Sequence, residues 1–375
     1  MIALCSLFVL ICTHCFPANI FASYLPFIKE LGYSGAQASL LVTIRCIASF
    51  IGMTLVPLFY RRLNLRWGLS VSCLLMAVAF LIHSFAHNYA TYVLGAAIMG
   101  LSYGLGGMIP VSLLMNNWFV QRRATALSIS SMGIGLGSFI FPPIIVRTAQ
   151  GISLDAAFRM VSLTSLVVML LCFLIIRDIP FEWKMIPYGA GESVGDVNMT
   201  GTPERQDISR TARFLMLFGL LLQGGVTITA AGHYVTLFTS VGYSKEAAAF
   251  SVSMMGISMV VSKLIFGPAI DRWGGKKTSL AFLIVLALGA VCCCLSPLHP
   301  LFMYAGTLCM GLGFSPSNIG ISIYAADFSS SKNYASLLKD FQRAFMGGAY
   351  CFPLSRGSCL IFLGVTSFPI GCLPA

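Results

Sequence analysis

The sequence predicts an all-α membrane protein built as two halves of six spans each, with the last span incomplete. Three observations predict this fold class: an apolar composition, basic loops that alternate along the chain, and an internal repeat. Of the 375 residues, 57% are hydrophobic and only 9% are charged, whereas charged residues make up about 25% of a soluble domain. This shortage of charge excludes both a soluble fold and intrinsic disorder.

Apolar runs of membrane-spanning length follow one another along the chain, because a helix needs about 20 apolar residues to cross the hydrocarbon core. Eleven such runs occur, at 2–26, 36–59, 68–86, 89–115, 124–146, 157–176, 212–238, 247–266, 279–297, 300–325 and 335–354. The shorter stretch 358–375 predicts a truncated twelfth span. We therefore expect a six-helix membrane half over 1–177, a cytoplasmic linker loop over 178–211 and a second half over 212–375.

Lysine and arginine are concentrated in every second loop. Because basic loops stay on the cytoplasmic side, the pattern places the N-terminus and the linker in the cytoplasm of a multi-pass plasma-membrane protein. The net charge of +11 is therefore explained by membrane orientation, and nucleic-acid binding is not expected. The basic loops include Arg61, Arg62, Arg122, Arg123, Arg272, Lys276 and Lys277.

The two halves resemble each other when the sequence is shifted by about 210 residues. Residues 32–34 and 242–244 both read Gly-Tyr-Ser, and residues 99–101 and 310–312 both read Met-Gly-Leu. Similarity at a fixed offset indicates duplication. Since each copy has six spans, both copies enter the membrane from the same side, as parallel repeats about an axis along the membrane normal.

The loop after the eighth span carries the most specific motif of the chain. A glycine in its first position allows close helix packing, and its acid can satisfy a helix N-terminus or pair with a cation. The motif consists of Gly267, Asp271, Arg272, Gly274, Lys276 and Lys277. It resembles the loop signature of the major facilitator superfamily, which implies a two-half helical bundle, alternating access, a gating role for the loop, and substrate binding between the halves near mid-membrane.

Two further loops bear on this resemblance. In the first half, Arg61 stands where Asp271 stands in the second, so the acid is missing, whereas Arg62 matches Arg272. The turn 117–126, which includes Arg122 and Arg123, is similar to a turn of monocarboxylate and oxalate/formate transporters. This second resemblance implies a small organic anion as substrate.

Arg45 lies near the middle of the second span. An arginine there is disfavoured by about 2.5–3.5 kcal/mol on insertion scales, so it should face the bundle interior. No Asp or Glu lies deep in any span to neutralise it. A buried guanidinium can bind a carboxylate through two parallel hydrogen bonds, although packing against backbone carbonyls is the alternative. The repeat partner of Arg45 is Met255, so an anion site would be asymmetric.

Spans one, four, seven and ten line the cavity in the family, and this implies a set of polar substrate contacts here. Each of these residues could instead bridge helices by hydrogen bonding. His14 and His233 are candidates for proton coupling, because histidine titrates near neutral pH. Lys263, near the cytoplasmic end of the eighth span, is a weaker candidate for a site residue, since its side chain can snorkel to the membrane surface. The implied substrate contacts are Asn19, Tyr24, Tyr103, Gln223, Thr227, Tyr234 and Asn318.

These observations predict a secondary active transporter that moves a small, monocarboxylate-like organic anion, with protons as a further candidate partner. We expect a monomer in the lipid bilayer. No catalytic, metal or cofactor motif occurs, so an enzyme is not expected. Two alternatives remain: a multidrug-type efflux carrier, which a central arginine disfavours, and a truncated membrane protein that does not transport.

Overall fold

The computed structural model describes residues 1–189, 209–328 and 333–351, and the chain is helical through most of them. Pro180–Trp183 and Phe21–Tyr24 form short 3-10 turns. The α-helices are α1 (Ile2–Leu10), α2 (Leu25–Glu30), α3 (Gly35–Arg62), α4 (Leu65–Ser84), α5 (Tyr89–Gly106), α6 (Met108–Trp118), α7 (Arg123–Gly151), α8 (Leu154–Ile175), α9 (Arg210–Ser240), α10 (Lys245–Trp273), α11 (Gly275–Cys294), α12 (Pro300–Leu312), α13 (Ile321–Asp327) and α14 (Tyr334–Cys351).

Eight helical segments among the described residues are long and apolar enough to cross a membrane. Large apolar side chains are exposed on them; Ile47, for example, is 57% exposed and Leu170 is 55% exposed. Such a surface suits contact with lipid, where only helices or closed barrels satisfy every backbone group. Most of the linker and the expected truncated span lie outside the described residues. The eight segments are Ile2–Ile20, Ala36–Arg62, Leu65–Ser84, Tyr89–Trp118, Arg123–Gly151, Leu154–Ile175, Met254–Trp273 and Gly275–Cys294.

Three runs that the sequence predicts as single spans are interrupted helices. The first continues from α1 into a π-helix, Ile11–Ile20, that contains Pro17. The fourth breaks at Gly107, between α5 and α6. The tenth has a π-helix, Pro316–Gly320, between α12 and α13. All three belong to the four spans expected to line a cavity. The first and tenth contain π-helical turns, which are frequent at functional sites.

The chain packs as two compact units, each made of several segments. The first unit comprises Met1–Asp207, Lys263–Gly275 and Ser322–Lys339, and the second comprises Ile208–Ser262, Lys276–Ile321 and Asp340–Ala375. The first unit therefore includes the end of α10 and the start of α14, which lie in the second half of the sequence.

The turn after the first span of each half has the same geometry in both copies. Gly32 adopts φ +95° and Gly242 adopts φ +103°, a left-handed conformation that glycine reaches without steric cost. The hydroxyl of Ser34 accepts a hydrogen bond from the Gln37 amide, and that of Ser244 accepts one from the amide three residues on, each at 3.2 Å. The repeat found in the sequence therefore corresponds to a repeated turn and helix N-cap.

A second repeated feature is a close helix contact made by glycine. A Cβ atom added to Gly100 would lie 2.2 Å from the carbonyl oxygen of Arg45, and one added to Gly311 would lie 2.6 Å from that of Met255. These are matching positions, because Arg45 corresponds to Met255 and Gly100 to Gly311. In each unit a glycine thus lets one helix rest on the backbone of another, as in close helix pairs in membranes.

We expect Gly100→Ala to destabilise the protein by about 1–3 kcal/mol, because the new methyl group would force α3 and α5 apart. The measurement is the apparent melting temperature of the purified protein in detergent. Gly219→Ala on α9 is the matched control, since nothing lies within 4 Å of its added Cβ. Equal melting temperatures for the two variants would contradict the close contact.

Candidate functional site

Three of the basic side chains buried in the first unit, His14, Arg45 and Lys263, are called the basic cluster here. They come from the first π-helix, from α3 and from α10. The exposed fraction is 7% for His14, 9% for Arg45 and zero for Lys263. Lys263 and Arg45 each act electrostatically on the His14 imidazole.

Arg45 is held by the interrupted first span. One terminal nitrogen of its guanidinium donates to the carbonyl oxygen of Pro17, and the other contacts the Cys46 sulfur at 3.4 Å. Its Nε atom is buried and has no hydrogen-bond partner among the described residues. Arg45 therefore makes a packing contact with a backbone carbonyl. Its Nε–H group is a further hydrogen-bond donor that a ligand could use.

His14 packs against Tyr103, so the structure brings these two predicted residues together. Their rings meet edge to face, with centroids 4.8 Å apart. The Nδ1 atom of His14 is buried and has no hydrogen-bond partner among the described residues. The expected proton-coupling candidate in the first span is therefore positioned within the basic cluster.

Lys263 does not snorkel, and that expectation is wrong. Its ammonium group donates to the carbonyl oxygen of Ser131 on α7 at 2.8 Å, inside the protein rather than at its surface. A lysine has three N–H donors, so further donors remain beyond this bond. Sequence reasoning underestimated this residue because side-chain length allows either placement, and only packing decides between them.

Two other predicted contacts of the first span have different surroundings. The Asn19 amide donates to the Ser138 hydroxyl at 2.6 Å, and Cys15 contacts the same hydroxyl at 3.3 Å. The Tyr24 hydroxyl donates to the Ala157 carbonyl at 3.1 Å, and its ring stacks on that of Phe158 at 4.3 Å. Asn19 thus joins α7 to the first span, while Tyr24 is part of an aromatic core.

The second unit contains the predicted residues of spans seven and ten. The Gln223 amide donates to the Ser317 hydroxyl at 3.1 Å, and the Thr227 hydroxyl donates back to the Gln223 carbonyl at 2.7 Å. Asn318 is 5% exposed and lies next to Ser317 in the π-helix. The side chains of His233 and Tyr234 lie outside those that the structure describes.

The acid of the loop motif lies at the N-terminus of α7. The Asp271 carboxylate accepts hydrogen bonds from the amides of Ala124 and Thr125, at 3.2 and 2.9 Å, and from the Thr125 hydroxyl at 2.5 Å. Of the two roles predicted for this acid, the structure shows the helix-terminus role. Gly267 makes the contact possible, because an added Cβ there would lie 2.3 Å from the Ser128 hydroxyl.

Two further side-chain contacts connect helices at the same end of the first unit. The Arg123 guanidinium donates to the Tyr334 hydroxyl at 2.8 Å and lies 5.1 Å from the centre of its ring. The hydroxyls of Ser112 and Ser322 are 2.6 Å apart. The remaining basic residues of the motif loops are exposed: Arg61, Arg62, Arg122, Arg272, Lys276 and Lys277.

A family model described as Major Facilitator Superfamily matches residues 7–349 of this chain. The chain belongs to the major facilitator superfamily. The proteins of this family are transporters. The match spans both sequence halves and includes the basic cluster and the Asp271 loop.

Curated relatives include monocarboxylate transporters. Monocarboxylate transporter 12-B of Danio rerio is 25% identical over 274 residues, which are 65% of this chain and 56% of that protein. Monocarboxylate transporter 12 of Mus musculus is 23% identical over 303 residues, which are 71% of this chain and 60% of that protein. The chain thus spans less than two thirds of the length of these two relatives.

A solved structure supports the fold. The proton:xylose symporter XylE bound to 6-bromo-6-deoxy-D-glucose matches with a TM-score of 0.70 at 14% identity, over 96% of this chain and 89% of that one. A double-tryptophan XylE mutant matches with a TM-score of 0.69. At this identity the likeness concerns the helical arrangement alone.

We expect Asp271→Ala to destabilise the protein by about 0.5–2 kcal/mol, because α7 loses its N-terminal acceptor. Thermal unfolding in detergent measures the change. Glu30→Ala is the control, since Glu30 is an exposed acid at the other end of a helix, the C-terminal end of α2. A melting temperature of the Asp271 variant no lower than that of the control would contradict the capping role.

Proposed function

We propose that this protein is a secondary active transporter that moves a small, monocarboxylate-like organic anion across the plasma membrane by alternating access. The N-terminus is placed in the cytoplasm in this proposal, on the charge pattern of the loops. The single observation that carries the choice of substrate is Arg45, a buried guanidinium whose Nε atom has no hydrogen-bond partner among the described residues.

The electrostatics of the basic cluster favour an anion. Within the part of the chain that the structure describes, the charged groups that act on His14 are Lys263 and Arg45, and neither is a carboxylate. A buried cation without a counter-ion is costly, because burial removes its hydration. A carboxylate offers a guanidinium two acceptor oxygens in matching geometry, so a bound anion would relieve that cost. A cationic drug would instead be repelled, which disfavours the multidrug alternative.

The relatives support the same substrate class. The Danio and Mus proteins are named monocarboxylate transporters, and the chain covers only 56% and 60% of them. Sequence identities of 25% and 23% do not by themselves determine the substrate of this chain. The argument for an anion therefore rests first on the residues of the cluster and second on the names of the relatives.

Alternating access requires one end of the bundle to open and close. We propose that the contacts of Asp271 with α7, of Arg123 with Tyr334, and of Ser112 with Ser322 hold one end closed. Each of these contacts is a hydrogen bond made by a side chain. Ligand binding would shift the balance between states by binding one state more tightly than the other.

We expect small carboxylates to raise the melting temperature of the purified protein and Arg45→Met to abolish that effect. A ligand that binds only the folded state stabilises it by mass action. The panel contains small carboxylates, inorganic anions, neutral sugars and lipophilic cations. Methionine is the residue that the repeat places at the equivalent position 255, so the substitution preserves packing volume.

Arg147→Met is the control, because Arg147 is exposed on α7 and should leave the carboxylate response unchanged. Stabilisation by lipophilic cations alone would contradict an anion carrier and favour efflux. A carboxylate response that survives in Arg45→Met would show that the anion binds elsewhere.

We also expect His14→Gln to remove the dependence of anion uptake on a pH gradient while leaving anion exchange intact. Glutamine keeps hydrogen-bonding groups but cannot carry the transferred proton. Uptake into proteoliposomes, with and without an imposed gradient, measures both quantities. Gradient-driven uptake equal to that of the unmodified protein would exclude His14 as the coupling group.

A further inference from the structure

The first residues of the linker fold back onto the end of the first unit. We call residues 177–188, which follow α8, the strap. The Asp178 carboxylate accepts hydrogen bonds from the amides of Leu65 and Arg66, at 2.8 and 3.0 Å, where α4 begins. Asn64, the N-cap residue of α4, makes no side-chain capping bond. The strap therefore supplies the cap that α4 lacks in its own sequence.

The other end of the strap is bonded to the turn between α6 and α7. The Tyr188 amide donates to the Trp118 carbonyl at 2.9 Å. The Tyr188 carbonyl accepts hydrogen bonds from the amides of Val120 and Gln121, at 3.0 and 3.2 Å. Between the two ends, Pro180 is buried. Because the strap is held at both ends and in between, its outward side chains keep a fixed position.

The outward side chains of the strap are largely apolar. Val120, whose amide the strap binds, is also exposed. A rigid group of exposed apolar side chains outside the membrane spans is typical of a binding surface. The apolar side chains of the strap that are between 45% and 52% exposed are Phe181, Met185, Ile186 and Tyr188.

The strap begins where the lipid-facing surface of α8 ends. The exposed apolar residues of α8 are spaced by four, three and four positions, so they share one helix face: Leu163, Val167, Leu170 and Leu174. In the last turn of α8, the exposed Trp67 ring lies 4.7 Å from the Phe173 ring, and the Arg66 guanidinium lies 4.2 Å from the centre of the same ring. Tryptophan is enriched at the membrane–water interface. The strap starts four residues after Phe173, so we place it at the level of the lipid headgroups.

The charges of this surface suit an anionic partner. Of the two acids in the strap, Asp178 is bound by the α4 amides and Glu182 lies 3.9 Å from the Nε atom of Arg177. Lys184 in the strap and Arg122 in the adjoining turn are both exposed. Neither is within ion-pair distance of an acid in the part of the chain that the structure describes. A combination of exposed apolar and basic side chains is typical of contact with an anionic membrane surface.

We propose that the strap binds anionic phospholipid at the surface of the membrane that the spans cross. The apolar side chains of the strap contact the upper acyl chains, and Lys184 and Arg122 contact the headgroup phosphates. A cytosolic protein fits this surface less well, because the surface continues the lipid-facing face of α8. Anionic lipids are concentrated in the cytoplasmic leaflet, where the loop charges place the linker. This inference goes beyond the proposed transport and does not depend on its substrate.

Ile186→Trp tests whether the strap touches lipid. Its fluorescence is compared with that of the unmodified full-length protein in nanodiscs, because the chain already contains four tryptophans. We expect phosphatidylcholine with brominated acyl chains to quench the added emission and aqueous iodide to leave it unchanged. Ile47→Trp, on the exposed face of α3, is the control for a residue in lipid. Quenching of the strap tryptophan by iodide alone would place the strap in water and overturn the proposal.

Lys184→Gln tests the preference for anionic headgroups. The protein is extracted from nanodiscs with equal amounts of phosphatidylserine and phosphatidylcholine, and native mass spectrometry measures the ratio of the two lipids that it retains. We expect the variant to lower this ratio about fivefold, the contribution of one basic residue near an anionic surface. Lys29→Gln is the matched control, since Lys29 is an exposed lysine at the end of α2, and it should leave the ratio unchanged.

Equal losses in Lys184→Gln and Lys29→Gln would show only a general attraction between cations and anionic lipid, and would overturn the proposal. Arg122→Gln is the second variant if Lys184→Gln does not fold. Equal retention of the two lipids by the unmodified protein would also overturn the proposal, whatever the folding of the variants. No transported solute enters these measurements, so their failure leaves the anion carrier untouched, and a protein that binds no carboxylate can still show the lipid preference.

Discussion

A guanidinium in the middle of a bilayer must find hydrogen-bond acceptors inside the protein, and this constraint organises the first unit. Arg45 finds one in the carbonyl of Pro17. That carbonyl lies in a π-helical stretch that the proline interrupts, where the regular pattern of helix hydrogen bonds is disturbed. Because the same stretch carries His14 and Asn19, the helix irregularity and the polar groups occur together. Irregular backbone at membrane depth is tolerated only where protein or a cavity surrounds it.

Much of this architecture could be predicted from the sequence, because membranes impose simple rules. Among the described residues, eight of the eleven predicted spans correspond to helical segments long and apolar enough to cross a membrane. The repeat follows from matching residues such as the Gly-Tyr-Ser turns. The Asp271 loop could be identified from its spacing, and the structure selects one of the two roles that its carboxylate allowed. Each of these inferences depends on local sequence and on solvent, so no tertiary information is needed.

The predictions that depended on tertiary structure were less accurate. Whether Lys263 reaches the surface or the interior depends on which helices surround it, and nothing in its own span decides that. Tyr24 was expected on a cavity-lining face, yet it packs on Phe158 of α8, because aromatic rings of neighbouring helices gather there. The breaks at Gly107 and around Pro316 lie inside runs that are apolar enough on average to be predicted as single spans, so hydropathy alone does not divide them.

The contact of Gly100 with α3 involves the carbonyl oxygen of residue 45 and not its side chain. The matching contact of Gly311 likewise involves the carbonyl oxygen of residue 255. The helix pair is thus secured by backbone that any amino acid provides. Arginine occupies this place in one copy and methionine in the other, over the same supporting contact. In a duplicated scaffold of this kind, the side chain at one position can differ between the two halves while the helix contact beneath it stays the same.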